Sequence, residues 1–308
     1  MKSQKDMPEM LTIRPPSEWR SLLVRVTRGC KWNCCRFCGI YPALGQPNFS
    51  IRTVAEVKHD IDLLRLLRPS AETAFFGDAD PLEVGVDAFS EIAVYLRQVF
   101  SIKRLTCYAR ASTLYRLKEE SIHLLARAGL NRVHIGLESG DPETLRFQRK
   151  GLSPKMVRQV SQWLKQAGIE ISFYVLLGLG GRDHWQQHIE KTAALINEIE
   201  PEFVRIRRLW LYGDDTGIAG AECPLWREIR AGSFIPQTAE GSVLEMRLLL
   251  ACLDRLSTFV ACDHQNNYVN VTGTLKEDRD EMLAEIDSFL ALPGEERQAH
   301  YKEVGSRI

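Results

Sequence analysis

Four of the chain's eight cysteines fall within nine residues. They are Cys30, Cys34, Cys35 and Cys38 of the run Arg28-Gly29-Cys30-Lys31-Trp32-Asn33-Cys34-Cys35-Arg36-Phe37-Cys38-Gly39. In a chain expected to be cytoplasmic, so tight a cluster reads as metal-binding or catalytic rather than as disulfides. Cys30, Cys35 and Cys38 give C-x4-C-x2-C, whereas Cys30, Cys34 and Cys38 give C-x3-C-x3-C. Three thiolates on one loop can hold three irons of a cubane cluster and leave the fourth iron without a protein ligand. The competing chemistry is structural zinc, which takes four ligands. Adjacent Cys34 and Cys35 are awkward in one tetrahedron, and the first histidine is His59. Cys34 is read as a bystander or a redox-sensitive thiol. The scattered Cys107, Cys223, Cys252 and Cys262 are read as small buried apolar residues.

These thiols need a scaffold. β-type runs at 22–27, 73–76, 104–108, 132–137, 169–177 and 204–211 alternate with helical stretches. Helix 54–67 carries Val57, Ile61, Leu64 and Leu67 at three- and four-residue spacing, and helices at 89–100 and 117–128 repeat the pattern. Asp141-Pro142 and Ser153-Pro154 read as helix starts, Gly129 and Gly168 as helix stops. Six β/α pairs of roughly 30 residues make a parallel sheet, either open and doubly wound or a barrel. The cysteine loop follows the first strand, and loops after strand C-termini form the active face in either case. A Gly- and Pro-rich segment at 213–236 follows, then a helix at 242–258, a possible last strand at 259–262 and a terminal helix at 278–292.

Other polar groups gather at the strand ends. The second strand runs into Gly77-Asp78-Ala79-Asp80-Pro81, the third into Tyr108-Ala109-Arg110-Ala111-Ser112, and the fourth into Gly136-Leu137-Glu138-Ser139-Gly140. Arg149-Lys150-Gly151 lies beyond, and the fifth strand ends at Gly178-Leu179-Gly180-Gly181. On the sixth strand, alternation puts Arg205 and Arg207 on one face and Arg208 on the other. The first two suit either an anionic substrate or salt bridges to Glu138 or Asp78. His264, in Cys262-Asp263-His264-Gln265-Asn266-Asn267-Tyr268, suits either a pocket wall or a helix cap.

Cys35-Arg36-Phe37-Cys38 and Gly136-Leu137-Glu138-Ser139-Gly140, about 100 residues apart, resemble the radical S-adenosylmethionine superfamily. The nearest likeness is to an uncharacterised subgroup with a Cys-x4-Cys-x2-Cys loop. The resemblance covers residues from about 20 to about 292. It implies a partial (β/α)6 TIM-type barrel at 19–212, an N-terminal extension at 1–18 and a C-terminal extension at 213–308 packed on the barrel. It implies a [4Fe–4S] cluster on Cys30, Cys35 and Cys38, with Phe37 as the loop aromatic. S-adenosylmethionine would chelate the open iron. Gly77 and Asp78 would meet its amino group through the backbone, although the family's usual Gly-Gly-Glu is not present. Arg110 and Ser112 would face the pocket, Glu138 would meet the amino or ribose groups, Arg149 the carboxylate, and Gly178 and Gly180 the adenine.

The implied reaction is reductive cleavage to a 5′-deoxyadenosyl radical that abstracts hydrogen from a substrate, with flavodoxin or ferredoxin as external reductant. Two alternatives stand beside it: a non-catalytic Fe–S or zinc protein, and transfer of a 3-amino-3-carboxypropyl group. No ~150-residue cobalamin-type N-terminal domain and no second cysteine cluster are visible, which disfavours cobalamin-dependent methylation, sulfur insertion and common peptide maturation. Lys+Arg and Asp+Glu number 40 each, so charge gives no sign of a nucleic-acid partner. The first 16 residues hold no apolar run of signal-peptide length, and no stretch approaches the ~18 apolar residues of a membrane span.

Overall fold

The computed structural model describes residues 7–10, 13–213 and 222–305. Its first elements are β1 (Leu22–Arg25), β2 (Thr27–Arg28), α1 (Ile40–Ala43), β3 (Ser50–Ile51), α2 (Val54–Leu67), β4 (Thr73–Gly77), α3 (Val86–Val99), β5 (Arg104–Ala109), α4 (Ala111–Arg127) and β6 (Leu130–Glu138). Then come α5 (Pro142–Phe147), α6 (Pro154–Gln166), β7 (Glu170–Leu177), α7 (Gly181–Ile199), β8 (Phe203–Arg208) and α8 (Leu225–Arg230). The last are α9 (Ala239–Cys252), β9 (Phe259–Cys262), β10 (Val271–Thr274), α10 (Leu275–Leu290) and α11 (Gly294–Gly305). Eight strands form one sheet in the order β1-β4-β5-β6-β7-β8-β9-β10, and β2 pairs with β3 separately. Successive pairs from β1–β4 to β8–β9 are parallel where their register is defined, and β9–β10 is antiparallel. This is the element order of a partial (β/α)6 TIM-type core, lengthened by β9 and β10.

Several sequence expectations are corrected: the helix expected at 242–258 ends at Cys252, and the helix expected to be terminal is followed by α11. The first strand does not continue to residue 27. The Val26 amide donates to the Gly77 carbonyl and its own carbonyl accepts from Arg52, after which Thr27–Arg28 turns to pair with Ser50–Ile51. The sixth strand ends at Arg208 rather than 211. β10 was not foreseen, because a four-residue Val-Thr-Gly-Thr run with an internal glycine reads as a turn. Of the loop expected at 213–236, residues 214–221 lie outside the described residues, and α8 is its short helix.

The chain folds as two compact units. One comprises Met1–Asn33, Tyr41–Ile135 and Gln159–Ile171, the other Cys34–Ile40, Gly136–Arg158 and Ser172–Ile308. The first is cored by fully buried Val24, Ile61, Phe75, Phe76, Phe89, Ile92, Leu96 and Leu105. It also buries Glu18, which accepts from Ser21 at 2.5 Å and faces His134 Nε2 at 3.3 Å. Burial works to raise the Glu18 pKa, but the bonds from His134 and Ser21 hold it below the usual carboxylate value.

The second unit buries Phe173, Val175, Ile189, Ile196, Val204 and Leu249. In it, the turn after β6 is fixed by a buried polar chain. His188 Nε2–H donates to the Leu176 carbonyl at 3.0 Å, which leaves Nδ1 to accept from the Ser139 hydroxyl at 2.7 Å. Burial pushes the His188 pKa down to about 4, so the ring is neutral. Ser139 Oγ accepts from the Asp141 amide at 3.0 Å, and Asp141 caps α5 by accepting from the Thr144 amide at 2.9 Å. Gly140 donates to Thr192 Oγ1 at 2.8 Å, and a Cβ there would overlap the backbone of Lys191 and Thr192. Ser139 and Gly140 therefore serve the seating of α7 on β6. Gly140→Ala is expected to cost about 1–3 kcal/mol, because the obstructing atoms are backbone and cannot rotate away. Denaturant unfolding at unchanged m-value would measure it.

Candidate active site

The cysteine loop departs from the first strands. Cys30, Cys35 and Cys38 are half-buried, while Cys34 is exposed. The Asn33 amide approaches Cys30 Sγ at 3.5 Å. The residue that fixes Cys35–Cys38 is Arg36. Its amide donates to the Gln148 carbonyl at 2.9 Å, and its carbonyl accepts from the Leu225 amide at 2.7 Å and the Cys223 thiol at 2.8 Å. Its guanidinium donates to the Phe147 carbonyl at 2.8 Å, stacks 4.6 Å from the Phe147 ring and pairs with Glu228 at 3.1 Å. Phe37 is buried with Leu179, Cys223, Leu225 and Phe234, and Cys35 and Cys38 pack against this cluster. Gln148 ties the loop to the end of β7 by donating to the Leu179 carbonyl at 3.0 Å. Arg36, Gln148 and Cys223 were not singled out in the sequence, because most of their bonds run to or from the backbone, which leaves no motif. Burial raises the Cys223 pKa to about 12, as suits a thiol that acts as a donor.

Among the described residues, no three Cys, His, Asp or Glu side chains are gathered closely enough to hold a metal ion. The donor set of the loop is nonetheless all sulfur, since residues 28–39 contain no carboxylate and no histidine. An all-thiolate set suits an iron–sulfur cluster, and ligand convergence is commonly coupled to binding.

Glu138 sits at the end of β6, only 8% exposed and with φ of 63°. It pairs with Lys150 at 2.8 Å, and the same ammonium lies 5.7 Å from the centre of the Phe37 ring. Sequence reasoning chose Arg149 from Arg149-Lys150. The structure leaves Arg149 exposed, in a left-handed conformation just past α5, and turns Lys150 inward. Glu138 pairs with Lys150, and Asp78 pairs with Arg25 at 2.5 Å.

In the first unit, Asp78 is fully buried, its amide donates to the Thr27 carbonyl at 3.3 Å, and the Gly77–Asp78 peptide is cis. The Gly77 carbonyl accepts from Val26 at 2.5 Å. The backbone groups expected to face a cofactor amine therefore already carry strand-end hydrogen bonds. Arg110 caps α4 with its guanidinium 4.7 Å from the Trp32 ring, and Ser112 is half-buried in the first turn. Nearby Asp80 accepts from Thr113 at 2.6 Å, and burial raises its pKa to about 7.

In the second unit, Gly178 follows β7 at φ of +83°, where glycine is favoured, and its amide donates to Glu245 Oε2 at 2.5 Å. Gly180 abuts His184 and His188 of α7. Glu245 on α9 is fully buried, also accepts from Gln237 at 2.9 Å, and was missed because its helix reads as plain core. Burial raises its pKa to about 7, against the pull of the Gly178 and Gln237 bonds. Arg208 donates to the Asn266 carbonyl at 2.8 Å and lies 4.5 Å from the Tyr268 ring. His264 is held by Asn266 at 2.6 Å, so it braces its own loop.

A model of the Radical SAM superfamily matches residues 24–196, more than half of the chain. The protein belongs to the radical S-adenosylmethionine superfamily. It is therefore an enzyme, with a [4Fe–4S] cluster and S-adenosylmethionine as its cofactors. A curated relative, an uncharacterised methyltransferase of Pyrococcus horikoshii, is 22% identical over 198 residues, covering 62% of this chain and 41% of the relative. The methyltransferase TsrM of Kitasatospora setae, solved with cobalamin and a [4Fe–4S] cluster, is 18% identical at TM-score 0.50, covering 61% of this chain and 36% of that one. Coproporphyrinogen III oxidase of Escherichia coli is 12% identical at TM-score 0.56, covering 75% and 51%. The chain thus spans about two fifths of the curated relative, and at these identities the solved structures establish the fold alone. Among the described residues no helix is long and apolar enough to cross a membrane.

Glu245 gives a pH test. Its native pKa of about 7 exceeds the ordinary 4.5, so the folded protein keeps a proton that the unfolded chain has released. That contribution is complete below pH 4.5 and is lost as pH rises through 7, by up to about 3 kcal/mol. Glu245→Gln, which keeps an acceptor for the Gly178 amide, is expected to gain stability relative to the parent as pH rises from 5 to about 8. Paired denaturant melts, in which every other titrating group cancels, measure the difference.

Proposed function

We propose that Cys30, Cys35 and Cys38 ligate the cluster, and that the enzyme abstracts hydrogen from a small-molecule substrate at the strand C-termini. The observation that carries this is the fixed Cys35-Arg36-Phe37-Cys38 segment, whose two thiols pack with Phe37 and Leu179. When bound, the reduced cluster supplies the electron that splits the sulfonium carbon–sulfur bond and releases a 5′-deoxyadenosyl radical. The chain's own residues position and shield. Arg36 holds the two thiols in a defined relation, and Phe37 with Phe234 keeps water from their inner side. Glu138 offers a carboxylate to a cofactor ammonium or ribose hydroxyl, and Lys150 orients it. The Gly178–Gly181 turn, braced by Glu245 and Gln148, suits an adenine edge. Gly77 and Asp78 are the candidates for the cofactor's amino group, Arg110 and Ser112 for the pocket lining, and Arg149 for the cofactor carboxylate. Residues 19–212 are proposed as the catalytic core and 213–308 as its extension, in a cytoplasmic enzyme served by flavodoxin or ferredoxin.

Anaerobic reconstitution, reduction and addition of S-adenosylmethionine test the reaction. 5′-Deoxyadenosine is the expected product. Methylthioadenosine would instead indicate 3-amino-3-carboxypropyl transfer, and no cleavage by an intact cluster would refute both. Cys34→Ala is expected to retain iron and cluster absorbance near the parent level, whereas Cys35→Ala loses most of both. The reverse pattern would reassign the ligands to C-x3-C-x3-C.

A further inference from the structure

Arg205 and Arg207 lie on β8 opposite Tyr174 and Leu176 of β7. Side chains alternate along a strand, so these four share one face. Leu176, and Leu209 as the next residue of that parity on the β8 side, pack against the Phe37–Leu179 cluster together with Cys35 and Cys38. The two arginines therefore stand on the sheet face that carries the proposed cofactor loop, Arg207 one same-face step and Arg205 two steps deeper than Leu209. At about 3.3 Å per residue, that places them roughly 7 and 13 Å along the strand from it.

Neither guanidinium makes an ion pair or hydrogen bond among the described residues. Arg205 is 7% exposed, and its Nε is buried with no partner. Its guanidinium lies 6.0 Å from the Phe203 ring centre, and that of Arg207 lies 5.0 Å from the Tyr174 ring centre. His264 has its pKa lowered first by burial and next by the charge of Arg207, which places that cation beside it. Aromatic stacking steadies a guanidinium while leaving its planar fork of donors for a bidentate acceptor. A buried cation without a counter-charge is costly, and one with none among the described residues, beside a second on the same face, suits an external anion.

We propose that Arg205 and Arg207 bind an oxyanion, carboxylate or phosphate, of the substrate. This deepens the radical reading and rests on it only for taking this face as the substrate's side. The test uses reconstituted holoenzyme with inorganic phosphate as probe, at ionic strength held constant with chloride. Phosphate at about ten times its Kd is expected to raise the melting temperature by about 2–4 °C, and Arg205→Met and Arg207→Gln each to abolish the rise. Without phosphate, Arg205→Met is expected to melt above the parent, because it removes an unpaired buried charge while keeping the volume. A lower melting point would make Arg205 a structural residue and overturn the proposal. So would a phosphate response that survives in either variant, or one missing from the parent. A tenfold loss of S-adenosylmethionine affinity in both variants would give the oxyanion to the cofactor's own carboxylate and overturn the substrate assignment. 5′-Deoxyadenosine formation by the parent reports separately on the radical reading, so the two can fail independently.

Discussion

A parallel strand that ends in a loop leaves backbone donors and acceptors without ladder partners, and a buried backbone group cannot be left so. Much of the second unit's architecture answers that constraint. The Leu176 carbonyl takes the His188 ring N–H, the Gly178 amide takes Glu245, and the Leu179 carbonyl takes Gln148. On β8, Asn267 donates to Ile206 and accepts from the Arg208 amide, while Asn266 donates to the Arg208 carbonyl. Side chains thus stand in for a neighbouring strand. The loop they hold after β7 carries the candidates Gly178 and Gly180.

That division explains what the sequence disclosed. Periodicity revealed the helices and parallel strands, with α2 matching at both ends, because burying one face imposes a repeat. The cysteine loop and Glu138 were legible because their chemistry restricts residue type. Gln148, Glu245 and Arg36 were not, since backbone groups accept many kinds of partner and leave no pattern at fixed spacing. Lys150 was hidden for another reason. Arg149 takes a left-handed φ of 51°, and no residue pattern announces that conformation or the inward course of Lys150. β10 escaped because four residues around Gly273 carry too little signal, although antiparallel pairing with β9 satisfies them.

Two buried groups in the second unit differ instructively. Among the described residues Glu245 has two donors and no cation paired with it, and burial raises its pKa. A guanidinium has no such escape at accessible pH, because arginine does not release its proton. Among the described residues Arg205 has the Phe203 ring as its neighbour and no carboxylate paired with it. A carboxyl can meet burial by self-neutralisation; an arginine meets it with acceptors, as Arg208 does with the Asn266 carbonyl, or with an anion.

Residues after position 222 act as partners of these loops. Cys223 and Leu225 both donate to the Arg36 carbonyl, and Glu228 pairs with its guanidinium. Glu245 and Gln237 brace the turn after β7, and Asn266 and Asn267 close the end of β8. Apart from the Gln237–Glu245 bond, each of these runs from the later part of the chain to a strand end or to the cysteine loop. If that part were absent, the Arg36 carbonyl and the Gly178 amide would lose their partners together. The candidate site is therefore specified jointly by a short cysteine motif and by scattered polar residues far along the chain, and the second set decides whether the first is held in place.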